Sequence, residues 1–160
     1  MTHQSSVLPK ESMDVSPGRR DWLAVLARTS RRDLEAVLAE LPAVPGYTLL
    51  RRPESGAIMV RARAGGSGRQ FNLGEASVTR CTVRLDAGIA GVAYSLGRDR
   101  RHAELAAVLD ALLQEPSRGA DLYERHIRPL AQQQQAARDL RSRQAAATKV
   151  DFFTLVRGES

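Results

Sequence analysis

His102 is the residue of this chain best suited to moving a proton. It follows Gly97-Arg98-Asp99 at the start of a predicted helix and has Glu104 close behind it. An imidazole is the side chain most often used as a general base. Asp99 is accounted for as the helix cap, its side chain accepting a backbone N–H of the first turn. A lone histidine of this kind more often meets solvent or a partner than a substrate. Glu75 and Asp151 are acids in turn-like or apolar surroundings, the kind of group a paired-carboxylate mechanism would use. Their separation in sequence does not fix their separation in the fold. The catalytic candidates are therefore His102 and Glu75, with no catalytic role assigned. His3 and His126 fall in a tail and a short helix, so no metal-ligand spacing exists. Cys81 is the single cysteine, which excludes an internal disulfide and a multi-thiolate metal site. It alternates with Val83 and Leu85 and reads as a small core residue.

The arginines carry a second chemistry. The chain has 24 Lys and Arg against 18 Asp and Glu, a formal net charge of +6. Lys10 and Lys149 are the only lysines. Such a balance raises the expectation of polyanionic or acidic partners, although a GC-rich genome also favours arginine. Guanidinium forks match carboxylate and phosphate oxygens in two-pronged fashion. Over residues 78–85, Thr79, Cys81, Val83 and Leu85 share one face of a strand, and Val78, Arg80, Thr82 and Arg84 the other. Over 57–64, Arg61 and Arg63 alternate with Val60 and Ala62. If these strands are neighbours, four guanidinium groups share one side of the sheet. Like charges opposite one another are unfavourable, so that face would need an acidic or phosphate-bearing counterpart. Arg98, Arg100 and Arg101 crowd a helix start, where the backbone dipole disfavours cations.

Gly65-Gly66-Ser67-Gly68-Arg69 has the composition of a phosphate cradle, but such loops need a helix immediately after them. Here a strand follows, which favours a hairpin turn, with a flexible loop beside an anion as the alternative. The candidate anion- or partner-binding set is Arg61, Arg63, Gly66, Gly68, Arg69, Arg80, Arg84 and Arg98. Partner contact ranks above substrate contact, because a sheet face is broad and a small anionic ligand needs a concave site.

The elements that must hold these residues follow from periodicity. A chain of 160 residues supports one core, and with 4% aromatic residues that core must be aliphatic. Ser16-Pro17 reads as a helix start and Ser30 with Asp33 as a capping box, giving a helical pair over 19–41. Leu34, Val37, Leu38 and Leu41 supply the buried stripe of the second helix. From Tyr47 the period becomes two. Segments 47–52, 57–64, 69–73, 77–85 and 89–96 read as strands joined by links too short for parallel crossovers. The expectation is an α+β fold with a four- or five-stranded antiparallel sheet over 47–96. Helices follow over 99–147, the first over 99–114 and a shorter one ending at Pro129. The Ala- and Gln-rich segment 130–147 has helix propensity but few large apolar residues, so it should lie across a neighbour or in solvent. Val150 to Val156 returns to an apolar strand-like run that must dock somewhere, with Phe152, Phe153, Leu155 and Arg157 as interface candidates. Residues 1–18 read as a disordered or variable tail.

Four stretches carry a family resemblance: ARAGGSGRQFNLGE at 62–75, NLGEASVTRCTVRL at 72–85, GRDRRHAELAAVLDALL at 97–113 and TKVDFFTLVRGE at 148–159. In that order they resemble the PhnG family, the G subunit of the bacterial carbon–phosphorus lyase core complex. The resemblance covers about residues 20–158 and implies a single domain over 19–158. It implies a part in phosphonate metabolism: transfer of the ribose triphosphate of ATP to an alkylphosphonate, with adenine released. It also implies the H, I and J subunits and accessory ATP-binding-cassette proteins as partners. ATP and alkylphosphonate would be substrates of the complex, with no cofactor or metal on this subunit, which would be non-catalytic or co-catalytic. The family resemblance transfers no catalytic residue.

Two other readings stand beside this one. A small stand-alone transferase or hydrolase would use His102 and Glu75. A nucleic-acid-binding module would use the basic face, but the chain lacks an aromatic stacking platform, a helix-turn-helix and a finger motif. No apolar run approaches a membrane span, and no signal peptide is evident, so a cytoplasmic protein away from membranes is expected.

Overall fold

The computed structural model describes residues 18–148. Helices α1 (Arg19–Leu26) and α2 (Arg31–Ala39) form the expected pair. The first begins at Gly18, whose N–H donates to the Asp21 carboxylate at 3.1 Å; the cap expected at Ser16 lies outside the described residues. The second begins as its sequence predicts, with Ser30 Oγ accepting from the Asp33 N–H at 3.1 Å.

Among the described residues the sheet has three antiparallel strands in the order β1 (Tyr47–Arg63), β2 (Gln70–Leu85) and β3 (Ala90–Leu96). This corrects the expected four or five. The breaks expected at Pro53-Glu54-Ser55-Gly56 and between Leu73 and Ser77 are irregularities inside two long strands. Register shifts between Arg51 and Glu54, and between Val60 and Arg61, absorb them as bulges. Pro53 is tolerated because β1 is an edge strand and the bulge removes the need for its missing N–H. The turn between β1 and β2 holds Gly65 at φ 58° and Gly66 at φ 82°, a backbone region that other residues avoid. The Gly-rich stretch is therefore a hairpin turn, closed by the Gly68 N–H donating to the Ala64 carbonyl at 2.8 Å.

Helix α3 (Arg100–Leu113) is the centre of the molecule, buried on nearly every side. Its sequence is apolar almost all round, as a helix between two layers must be. One side packs on Cys81, Val83, Leu85 and Ala93 of the sheet, and the other on Val25, Leu26, Leu34 and Val37 of the helical pair. Leu109 and Leu112 are wholly buried, each contributing about 1.5–3 kcal/mol by burial. At Gly91 the helix comes so close that a Cβ would collide with the Ala107 carbonyl and stand 2.8 Å from the Ala111 Cβ.

After α4 (Gly119–Leu122) the chain passes through a π turn, Tyr123–Ile127, into α5 (Arg128–Ala147). Pro129 does not stop the helix as the sequence predicts. It sits in the first turn of α5, where its absent N–H costs least, and the π turn before it makes room for the ring. Buried Leu122 and Ile127 anchor this segment. Gln134 Nε2 ties α5 to the Val25 carbonyl and to Thr29 Oγ1, both at 3.1 Å. Past Gln134 every described residue of α5 is exposed, in keeping with its Ala/Gln composition. The expected terminal strand at 150–156, with Phe152, Phe153, Leu155 and Arg157, lies outside the described residues.

Candidate functional site

Helix α3 covers one face of the sheet, and among the described residues no element covers the other. Strand alternation sorts the residues: Thr79, Cys81, Val83 and Leu85 are buried towards α3, while Arg80 and Arg84 are exposed on the open face. Register places Glu54 directly opposite Arg80 on β1, and Tyr94 opposite Arg80 on β3. Arg80 Nε donates to Glu54 Oε1 at 2.7 Å, and Arg51 reaches the same oxygen at 3.0 Å. The charge and hydrogen bond of Arg80, aided by Arg51, hold the Glu54 carboxyl below the usual carboxylate range. The counter-charge that Arg80 demands is thus supplied from within the chain. Tyr94 and Leu96 stand exposed beside this pair, and a shallow cleft of about 230 Å³ runs between Glu54, Ile58, Val78, Arg80 and Tyr94.

Arg61 and Arg63 do not join Arg80 and Arg84. Their partners across the ribbon are Asn72 and Gln70, and Arg61 is seven residues from Glu54, roughly 23 Å at ~3.3 Å per residue. They also fall on the opposite side of the ribbon, with Met59 and away from Ile58 and Val60. The four-guanidinium face is therefore two separate pairs. Arg63 donates to the Gly68 carbonyl at 3.3 Å, steadying the turn in which Gly66, Gly68 and Arg69 sit.

Arg98 is exposed in the loop before α3, beside a second cleft of about 270 Å³ lined by Ser55, Gly56, Ala57 and Ser77. A short relay sets that loop. Thr79 Oγ1 donates to the Gly97 carbonyl at 2.8 Å and, having one proton, accepts from Ser55 Oγ at 2.8 Å. The relay binds β1, β2 and the Arg98 loop into one unit. Among the described residues, Arg61, Arg69, Arg84 and Arg98 make no ion pair.

The structure separates the two catalytic candidates. His102 is buried, its Nε2 at 2.8 Å from the Thr29 carbonyl and its backbone N–H on the Asp99 cap at 3.0 Å. A ring so placed pins α3 to the loop between α1 and α2. Glu75 is exposed on the distal ribbon opposite Met59. Glu104 is engaged by Tyr47 Oη at 2.7 Å and Arg101 at 3.3 Å. Burial, then the Glu104 carboxylate, raises the Tyr47 hydroxyl above its ordinary value. Cys81 is a core residue as expected, its thiol pushed up to about 11 by burial, with the Glu104 charge adding. Among the described residues, no group of three or more His, Cys, Asp or Glu side chains could hold a metal.

The most elaborate polar cluster was not legible in the sequence. Asp110 on α3 is wholly buried and accepts from Arg19 at 2.7 Å, Trp22 Nε1 at 2.8 Å and the Val92 N–H at 2.8 Å. Gln114 Nε2 donates to the Ala90 carbonyl at 2.9 Å alongside. Asp110 occupies what otherwise reads as an apolar stripe, and only the fold reveals its donors. The cluster closes the outer edge of β3 over Ala90 and Val92, which would otherwise offer free backbone groups to a passing strand.

Residues 17–158 match the family described as "Phosphonate metabolism protein PhnG". The chain belongs to this family. It is also 41% identical, over 141 residues, to the alpha-D-ribose 1-methylphosphonate 5-triphosphate synthase subunit PhnG of Rhizobium meliloti (strain 1021). That alignment covers 88% of this chain and 90% of the relative. The matched residues span the helical pair, the sheet, α3 and α5 together. No helix among the described residues is long and apolar enough to cross a membrane.

Proposed function

We propose that this chain is the G-type subunit of a synthase that moves the ribose triphosphate of ATP onto an alkylphosphonate and releases adenine. The single observation that carries this is the 41% identity, over nearly the whole chain, to a subunit of ribose 1-methylphosphonate 5-triphosphate synthase. Its role is that of a non-catalytic or co-catalytic subunit in a cytoplasmic assembly with the H, I and J subunits and accessory ATP-binding-cassette proteins. ATP and the alkylphosphonate belong to the complex, and no cofactor is assigned to this subunit. Two features support a role in assembly. His102 is committed to a backbone carbonyl while Glu75 lies on β2 opposite Met59, and the open sheet face exposes Tyr94 and Leu96.

The test is reconstitution. Adenine release from ATP and methylphosphonate is measured with the full set of subunits, with this one omitted, and with this one alone. The expected outcome is activity in the first case only. Turnover by the isolated chain, or full activity without it, would sink the reading.

A further inference from the structure

We infer that the distal β1–β2 ribbon is a clasp, which inserts into an apolar groove with an acidic rim on a different polypeptide of the assembly. This rests on the reading of the chain as a synthase subunit. Strand β3 pairs with β2 only from Val78 to Arg84, so residues 57–63 of β1 and 70–77 of β2 continue as a two-stranded ribbon, with no third strand beside it among the described residues. At ~3.3 Å per residue this arm is about 25 Å long. A lone two-stranded ribbon is at best marginally stable in water, and it gains stability when a face is covered.

The arm is dressed for cover on both faces. Ile58 and Met59 alternate on β1 and are about half exposed, while Phe71 and Leu73 on β2 are 46% and 63% exposed. Phe71 is the only aromatic residue of the arm, and it lies near the tip opposite Ala62. Its charges are lopsided: Arg61, Arg63 and Arg69 against Glu75 alone. An apolar ribbon with a cationic tip matches an apolar groove rimmed by carboxylates. A second copy of this chain is a poor occupant, because its net charge is +6 and the acid on its open face, Glu54, is already held by Arg80 and Arg51.

The experiment uses the full chain expressed with the H, I and J subunits. Arg61→Glu with Arg63→Glu reverses the tip charge at exposed positions, and Phe71→Ser removes the anchor. Melting curves of each variant check that the body is intact. Co-purification is expected to weaken at least about tenfold for either variant, with a steep dependence on salt for the wild type. A photo-crosslinker placed at Leu73 is expected to join the arm to an Asp- and Glu-containing peptide of another subunit. Unchanged assembly of both folded variants, a crosslink to a second copy of this chain, or capture of duplex nucleic acid by the arm would each overturn the clasp. Failure of the wild-type chain to assemble at all would instead overturn the subunit reading.

Discussion

Arg80 and Glu54 stand directly opposite each other across β1 and β2, joined at 2.7 Å on the exposed face of the sheet. Because Arg80 holds the Glu54 carboxyl low, their mutual stabilisation is present above the ordinary carboxylate range and is lost as pH falls through the lowered value. Arg80→Ala should lower the melting temperature slightly near neutral pH and have no effect well below the carboxylate range. Glu54→Gln should show the same pH dependence, and the double variant should lose little more than either single one. Thermal melts of the four proteins across acid pH check this. Additive losses would mean that the two side chains do not act as a pair.

The buried Asp110 makes a larger claim. Replacing it with Asn turns one acceptor oxygen into a donor facing the donors Arg19, Trp22 and Val92, so the loss of stability should be about 3–5 kcal/mol. Arg19→Met should cost less, because the carboxylate keeps the Trp22, Val92 and Gln114 donors. Urea denaturation of the three proteins measures the order. Equal losses for the two variants would show that the carboxylate is not the centre of the cluster.

At Gly91 the limit is space. A methyl group there meets the backbone of α3 at Ala107 and Ala111, so Gly91→Ala must push β3 and α3 apart. The expected cost is on the order of 1–3 kcal/mol, read as a drop in melting temperature. A melt indistinguishable from the wild type would contradict the close packing of helix on sheet.

Cys81 should be inert while the protein is folded. Its thiol is pushed from an ordinary 9.0 to about 11, so at neutral pH it presents almost no thiolate, and burial blocks reagents besides. A folded-state value above the unfolded one gives stability that is complete below pH 9 and is lost as pH rises towards 11. Labelling by a thiol reagent at pH 8 should be slow in buffer and fast in denaturant. Rapid labelling of the folded chain would contradict this burial.

What was legible in the sequence depended on whether the signal was local. The Ser30 cap, the alternation of Cys81, Val83 and Leu85 with Arg80 and Arg84, and the apolar run of α3 are patterns within one element, and the structure has them. The strand count differs from the sequence reading because Pro53-Glu54-Ser55-Gly56 has the composition of a turn, and only pairing with a neighbour shows that bulges carry both long strands onward. Pro129 misled in the same way, since the π turn that accommodates it depends on the packing of Leu122 and Ile127. Of the candidate site, the exposed arginines were legible. The pairing of Arg80 with Glu54, the separation of Arg61 from Arg80 and the commitment of His102 to Thr29 depend on contacts between residues 26 or more positions apart, or on a register that no single segment encodes.

The last expectation concerns the far end of the chain. Helix α5 leaves the body after Gln134 with only exposed side chains, and it carries the chain towards the apolar segment 150–156. A helix this polar has no core of its own to hold it, so its natural support is another subunit. Phe152 and Phe153, set in a partner's groove, would each contribute on the order of 2 kcal/mol by apolar burial. Deleting residues 150–160 should therefore abolish co-purification with the other subunits while leaving the melt of the isolated chain unchanged, if their support is a partner and not the core among α1, α2, α3 and the sheet. Co-purification at undiminished yield would move the interface away from this segment, and a lowered melt would show instead that it packs on its own chain.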